Sequence, residues 1–540
     1  MVEENDFDVV VVGAGFAGLY ALHKFRDDLH MNVRVFETGD GVGGTWFWNR
    51  YPGARCDSES YYYCYSFSPE LAQEWEWSGR YPEQPEIERY LNHVADRFDL
   101  RRDIQLSTRV TAATFDDATN RWTVRTDRGD AVTARFLVTA VGCLSAPSVP
   151  DIPGLDDFAG DVYFTATWPR EPVDLTGKRV GLIGTGSSGI QATPPIAAQA
   201  AQLTVFQRTP NFSLPARHRA FLSEDQAEIK ADYDEIFDLT RQSFAGFPFH
   251  PVDRKTMSVP EEEREEILDG LWEEGGFKFL YGGFIDLLRD AEANEIASEY
   301  IRTKIRETVK DPETAELLCP KGYPYGAKRP PIDTDYYETF NRDNVSLVDI
   351  NDDPIEVITP TGLRTTTAEY EFDVLVFATG FDAMTGSLLR MDIRGTDGIP
   401  LSEAWSDGPR TYLGLQVAGF PNLFTITGPG SPSVLMNMPV AIEQHVDWIA
   451  GCLEYLRDEG WTRIEATEDA QDAWAEHVTE LGEASLYVRA NSWYVGANIP
   501  GKPRVIMPYT GGQPMYRERC DAVRDAGYDG FALGGAAAGG

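Results

Sequence analysis

Hydrophobic positions near the start of the chain form an almost continuous run, Phe7-Asp8-Val9-Val10-Val11-Val12. A strand with one wet face alternates, so this run predicts a strand buried on both faces of a parallel sheet. It stops at Gly13-Ala14-Gly15-Phe16-Ala17-Gly18, a helical pattern follows to about Arg26, and a short strand, Val33 to Phe36, ends at Glu37. The same succession returns later. Arg179 to Ile183 reads as a strand, then come Gly184-Thr185-Gly186-Ser187-Ser188-Gly189, a helix to about Ala201 and a strand from Leu203 to Phe206. Two more apolar runs, Phe136 to Val141 and Val374 to Phe377, lead into the small-residue turns at Gly142 and Gly380, where the chain is expected to cross between modules. The stretch between residues 217 and 323 reads as helices. Ser258-Val259-Pro260-Glu261 predicts a capping box, with Ile267, Leu268 and Leu271 on one face behind it. The pattern predicts an α/β protein of two Rossmann-like domains: residues 1–144 with 375–540, residues 152–216 with 324–374, and a helical insertion at 217–323.

The glycines carry the first chemistry. In each fingerprint the first allows a tight turn and the second lets backbone approach a pyrophosphate. The third packs the helix, whose positive N-terminus faces the phosphates. A lone Gly-x-Gly-x-x-Gly is weak, but here strand, glycines, helix and terminal residue arrive in order. The two copies differ at one informative slot. Glu37 and Arg208 each lie 24 residues after the first glycine of their own fingerprint. A carboxylate there accepts hydrogen bonds from a ribose diol and repels a 2′-phosphate; a guanidinium pairs with that phosphate. The first module should hold a nucleotide with a free ribose, and the second should prefer NADP(H) to NAD(H). Two dinucleotides in one chain imply electron transfer between them, most simply FAD with NADPH, although spacing alone leaves the first nucleotide open.

Composition narrows the partners. At 540 residues the chain exceeds one hydrophobic core, and 42% hydrophobic with 25% charged residues is an ordinary globular balance. Asp and Glu number 86 against 48 Lys and Arg, a formal charge of −38, which repels phosphate backbones and anionic headgroups. Nucleic acid and membrane surfaces are therefore not expected partners. The apolar stretch from Val9 to Leu22 is broken by glycines and too short to span a bilayer, and its acidic flank is unlike a signal peptide. A cytoplasmic, soluble protein is the expectation. The six cysteines are scattered with no C-x-x-C, which offers neither a redox dithiol nor a zinc site, and no His-rich cluster suggests another metal. The carboxylates Glu261 to Glu263, Glu265 and Glu266 read as a solvated helix face. Only ten lysines are present; a salt-rich cytoplasm and a GC-rich genome would both fit that bias.

The stretch after Glu37 is the most specific. Gly43-Gly44-Thr45-Trp46-Phe47-Trp48-Asn49-Arg50-Tyr51-Pro52-Gly53-Ala54-Arg55-Cys56-Asp57 resembles the long signature of Baeyer–Villiger monooxygenases. The likeness runs to near residue 530 through Gly326-Ala327-Lys328-Arg329-Pro330-Pro331, Ala378-Thr379-Gly380-Phe381-Asp382, Gly428-Pro429-Gly430-Ser431-Pro432 and Gly496-Ala497-Asn498-Ile499-Pro500-Gly501-Lys502, and it looks closest to the phenylacetone-type branch. The resemblance implies FAD, NADPH and molecular oxygen. It also implies a C4a-peroxyflavin that inserts one oxygen beside the carbonyl of a small hydrophobic ketone, giving esters or lactones, with sulfides as further substrates. Arg329 matches the catalytic arginine and Asp57 the carboxylate that orients it. Gly44, Thr45, Trp46 and Tyr63 would join Gly13, Gly15, Gly18 and Glu37 around the flavin nucleotide. Thr185, Ser187 and Gln191 would accompany Gly184, Gly186 and Gly189 at NADP, with Lys328 joining Arg208 and Thr209 at its 2′-phosphate. Trp493 matches an aromatic on a loop over the nicotinamide, and Leu435 and Met436 a substrate-pocket loop. A monomer or weak homo-oligomer is expected.

One departure matters. The family's short fingerprint, F-x-G-x-x-x-H-x-x-x-W, is kept at Phe158, Gly160 and Trp168, but Phe164 stands where histidine is expected. Phenylalanine cannot donate a hydrogen bond, so coupling between the modules is the property put in question, and restoring the histidine should improve it. An N- or S-oxygenating flavoenzyme and a largely uncoupled FAD/NADPH oxidase or sensor therefore stay open as alternatives. A disulfide reductase does not, for want of a dithiol.

Overall fold

A computed structural model describes residues 6–536. Its first sheet has eight strands, in spatial order Asp392–Arg394, Val110–Asp116, Arg121–Thr126, Ala131–Thr139, Asp6–Val12, Val33–Phe36 and Ile104–Gln105, with Leu423–Thr425 also paired to the end of Ala131–Thr139. The second is five-stranded and parallel throughout: Val345–Asp349, Gln202–Gln207, Arg179–Ile183, Val374–Phe377, Asp161–Phe164. Both strands that lead into the fingerprints lie inside their sheets, which explains their unbroken apolar runs. Val9 and Val11 face the core shared with the helices Phe16–His23 and Met438–Asp458, whereas Val10 and Val12 face Trp122, Leu137 and Leu423 on the other side.

The two fingerprints fold as copies. A Cβ on Gly18 would stand 1.8 Å from the Gly13 carbonyl oxygen, and one on Gly189 would stand 2.1 Å from that of Gly184. Helix and turn can approach so closely only without a side chain at the third glycine.

Two expectations change. The strand Val374–Phe377 pairs with Arg179–Ile183 and Asp161–Phe164, so it belongs to the second sheet and the chain returns to the first module only after it. A boundary at residue 374 cuts a strand whose apolar run is equally at home in either parallel sheet. The capping box also does not form. Helix Glu261–Glu274 starts after Pro260 without a side-chain cap, because Ser258 closes a tight turn and donates its hydroxyl to the Lys255 carbonyl at 2.6 Å. Glu261, Glu262 and Glu263 in the first turn complement the helix dipole instead. Near the end of the chain Phe531–Ala536 pairs antiparallel with Trp461–Ala466, and residues 537–540 lie outside those described.

Among the described residues no helix is long and apolar enough to cross a membrane, and all six cysteines are buried and unpaired. The acidic excess has a measurable consequence. Surface ion pairs are worth ~0–1 kcal/mol each and weaken with salt, whereas the repulsion among 38 excess negative charges is relieved as the Debye length falls from ~10 Å at 0.1 M to ~3 Å at 1 M. The repulsion outweighs the pairs. Tm should therefore rise between low and molar NaCl, and a flat or falling series would contradict this balance.

Candidate active site

In each module a helix begins directly after the second glycine with no side-chain cap, leaving its first N–H groups free for phosphate oxygens. The second-glycine positions differ. A Cβ on Gly186 would meet nothing within 4 Å, so protein packing does not demand glycine there; an approaching pyrophosphate does. Gly15 instead faces Gly44, and a Cβ on either would come within 3.2 Å of the other's Cα. Glu37 is buried at the end of its strand, and its carboxylate accepts from the backbone N–H of Ala14 and of Gly39, both at 2.7 Å. Burial raises its pKa, and these bonds work against the rise. A carboxylate has about four acceptor sites, so two remain for a ribose diol.

Trp46 and Tyr63 are buried under this nucleotide turn, the indole donating to the Tyr63 hydroxyl at 3.1 Å and Tyr63 lying edge-on to Phe16. Thr45 opens the short helix Thr45–Trp48 and is exposed. In the second module Ser187 and Arg208 are exposed beside the Gly-rich turn, and the Thr185 hydroxyl donates to the Thr209 carbonyl at 3.0 Å. Lys328 reaches the same place from residues 324–331, its ammonium 4.3 Å from the Tyr323 ring centre. Burial, and then the charge of Arg208, pushes Lys328 down to about 8. Two cations that repel each other are what a dianionic phosphate would relieve. The residues fit both dinucleotides.

Gln191 is committed elsewhere. Its amide oxygen accepts from the Tyr51 hydroxyl at 2.7 Å, its amide nitrogen donates to the Arg55 carbonyl at 3.1 Å, and a Cβ on Gly53 would stand 2.4 Å from its backbone oxygen. The Tyr51-Pro52-Gly53 run therefore clamps the first module onto the second module's helix, a role invisible in a motif read along the chain.

Between the modules stands a bidentate ion pair to which each contributes one partner. Arg329 donates from Nε to Asp57 Oδ2 at 2.7 Å and from Nη2 to Oδ1 at 2.8 Å, and from Nη1 to the Val434 carbonyl at 2.8 Å. The Phe277 ring lies 4.5 Å from its guanidinium carbon. Burial opposes the guanidinium's charge, but Asp57 more than offsets it, and the pKa is held above its ordinary value. Three of the five N–H donors are used among the described residues, which leaves two aimed by a rigid fork. Val434 and Phe277 were not expected here. A backbone carbonyl leaves no trace in sequence, and Phe277 is one aromatic among many in the insertion.

Leu435 packs with Cys143, Met384, Tyr494 and Met507, with Trp493 at the edge of the same cluster, whereas Met436 turns away to Val440 and Ala441. Along the segment carrying Trp493, the Tyr487 and Ser492 hydroxyls and the Asn498 amide oxygen are buried without a partner among the described residues. Such orphans suit a polar ligand beside them.

Phe164 does not reach this cleft. It is half-buried and stacks on Phe377 at 5.1 Å against the apolar cluster of Phe158, Ile183, Leu363 and Phe372, on the sheet face opposite helix Ser187–Gln199. Strand alternation sends its neighbour Tyr163 to the helix face. An imidazole at 164 would enter apolar packing with no evident partner, so Phe164→His should cost ~1–2 kcal/mol and leave product per NADPH unchanged or lower. Thermal melts and product-to-NADPH ratios check this; a gain in coupling at equal Tm would restore the hydrogen-bonding view.

The family profile described as pyridine nucleotide-disulphide oxidoreductase matches residues 10–219, the start of both nucleotide modules. A Baeyer–Villiger monooxygenase of Pseudooceanicola batsensis is 45% identical over 525 residues, 97% of this chain and 95% of that one. A phenazine N-monooxygenase of Lysobacter antibioticus is 44% identical over 98% of both chains. A solved oxidized steroid monooxygenase bound to NADP superposes with a TM-score of 0.94 at 54% identity, covering 98% of this chain and 99% of that one. With a bidentate Arg329–Asp57 pair set between two such nucleotide modules, and relatives alike over almost their whole length, the chain belongs to the Baeyer–Villiger monooxygenases, FAD-dependent enzymes that use NADPH and oxygen to convert ketones to esters or lactones.

Proposed function

We propose that the substrate is a small hydrophobic ketone bound against Leu435, and that Arg329, oriented by Asp57, is the catalytic residue. The bidentate pair carries this reading. When bound, the flavin supplies oxygen activation and the nicotinamide supplies the hydride. The chain's part is to bind, orient and neutralise. Asp57 holds the guanidinium plane, Val434 fixes its third edge, and the two remaining N–H groups meet negative charge developing at the carbonyl oxygen and on the attacking group. A guanidinium raised above its ordinary pKa keeps its protons, so that charge is stabilised without being quenched. The Gly13, Gly15, Gly18, Glu37, Gly44, Thr45, Trp46 and Tyr63 set would hold FAD. The Gly184-to-Gly189 turn with Arg208, Thr209 and Lys328 would hold NADPH, and Trp493 would cover the nicotinamide. Residues 1–144 with the chain beyond about 380 would form the FAD domain.

A place near the phenylacetone-type branch rests on the likeness that runs to near residue 530, a cytoplasmic location rests on the charge and the scattered cysteines, and the enzyme would be a monomer or a weak homo-oligomer. N-oxygenation is a second reading, favoured by the phenazine N-monooxygenase being as similar as the ketone-oxidising relative. Oxygen-dependent NADPH consumption over a panel of ketones, sulfides and N-heteroaromatics, with products identified, tests both. Esters or lactones formed at the highest kcat/KM support the proposal; N-oxides formed faster support the second reading; hydrogen peroxide alone sinks both.

A further inference from the structure

Two motifs that the site leaves without a task meet in the fold. The chain crosses between modules through residues 140–148 and 378–384, and these segments are stitched together. Asp382 donates its N–H to the Ala146 carbonyl at 2.8 Å, Ser148 to Gly380 at 3.0 Å and Met384 to Cys143 at 2.8 Å, while the Thr379 hydroxyl donates to the Ser148 carbonyl at 2.7 Å. Any rotation of one module against the other bends this two-chain hinge. The segment that carries Trp493 is fastened to it. Lys502 Nζ donates to Asp382 Oδ1 and to the Ala383 carbonyl, both at 2.7 Å, and Asn498 Nδ2 donates to the Phe381 carbonyl at 2.7 Å. The Trp493 end makes a bond of its own, the Met507 N–H donating to the Tyr494 carbonyl at 2.9 Å. The Lys502 side chain is 9% exposed and that of Asp382 25%, so this is not a screened surface pair: either partner without the other is a poorly solvated charge.

We propose that Lys502 is a positioning residue that ties the Trp493 segment to the inter-module hinge, so that closure over the nicotinamide dinucleotide and the angle between modules change together. The lysine contacts no reacting atom; it acts through Asp382 and the Ala383 carbonyl. A charged hydrogen-bonding end does this where a purely apolar contact would slide, because the bond has one geometry and the hinge carbonyl has a fixed direction. The proposal rests on the reading of Trp493 given above.

Limited proteolysis of the FAD-loaded enzyme, with and without NADP+, tests the tie directly, beside the KM for NADPH and the rate of flavin reduction at saturating NADPH. In the wild type NADP+ should protect residues 484–505 from cleavage. Lys502→Met should lose that protection and raise the NADPH KM ~10-fold, the size of one charged hydrogen bond, with saturating reduction within about twofold. Asp382→Asn should do the same without removing the lysine, and Lys502→Arg should regain most of both properties. If Lys502→Met fails to fold, Asp382→Asn decides. Protection by NADP+ equal to wild type in the decisive variant overturns the proposal, as does an equal loss in Lys502→Arg. Trp493→Ala separates the two readings: an unchanged NADPH KM there removes the role given to Trp493, while the protection assay still reports on the tie.

Discussion

Arg329→Ala should still allow NADPH to reduce the flavin but should lose ester formation by ~10²–10³-fold or more, the effect of removing a donor aimed at developing negative charge. The geometry argues for this split. Arg329 is held by Asp57, the Val434 carbonyl and the Phe277 ring, and none of these belongs to the turn at Gly184 to Gly189 where NADPH should enter. If Arg329 has the proposed role, hydride delivery has no need of its charge and oxygen transfer does. Removing the guanidinium also leaves Asp57 without its partner, at a cost of ~3–5 kcal/mol if the carboxylate stays ionised. Arg329→Lys is accordingly the companion variant: it keeps a charge but loses the fork, and should fold better while still losing most ester. Anaerobic stopped-flow reduction followed by mixing with oxygen and ketone separates the two half-reactions. Wild-type ester formation in Arg329→Ala would remove the residue from catalysis.

Arg208→Ala should raise the KM for NADPH ~10–100-fold and leave NADH nearly unaffected, because only NADPH carries the phosphate that the guanidinium meets. The wild type should prefer NADPH strongly; equal kcat/KM with the two nicotinamides would end the argument from the slot after the second fingerprint. A pH dependence follows from the neighbouring Lys328, whose pKa is pushed down to about 8 by burial and by Arg208. On the proposed reading it is the cationic form that would bind the phosphate. Attraction is therefore full well below pH 8 and fades as pH rises through it, since the 2′-phosphate remains dianionic over that range. The NADPH KM should climb above pH 8 while the NADH KM stays level, and Lys328→Met should flatten the NADPH profile. In Arg208→Ala the lysine loses its repelling neighbour, and the climb should shift to higher pH.

Much of this was legible without coordinates because it is local. A run of four valines that stops at a Gly-rich turn reads as a strand buried on both sides, and the spacing of the three glycines after it reads as a nucleotide-binding turn. The contrast of Glu37 with Arg208 needs only a count of positions. Other features were out of reach because their cause lies across the fold. Val374–Phe377 could have joined either sheet, and only pairing with Arg179–Ile183 decided it. Ser258 looked like a cap until Lys255 claimed its hydroxyl. The bonds that the Gln191 amide makes to Tyr51 and Arg55, some 140 residues earlier, could not be read from its place after the second fingerprint. Phe164 looked like a missing hydrogen bond, and its strand faces it into an apolar cluster.

The division has one physical reason. Backbone conformation, burial periodicity and the charge at a given slot are set by residues close in sequence, so the amino-acid sequence alone determined the two nucleotide folds and their Gly-rich turns, while a catalytic role for Arg329 and Asp57 entered only through the family resemblance. What a side chain bonds to is set by which distant segment arrives beside it, through the summed packing of whole sheets and helices. The bidentate grip of Asp57 on Arg329, the Val434 carbonyl that completes it, and the Lys502 tie to Asp382 at the hinge each join segments more than a hundred residues apart, and tertiary structure alone decided that.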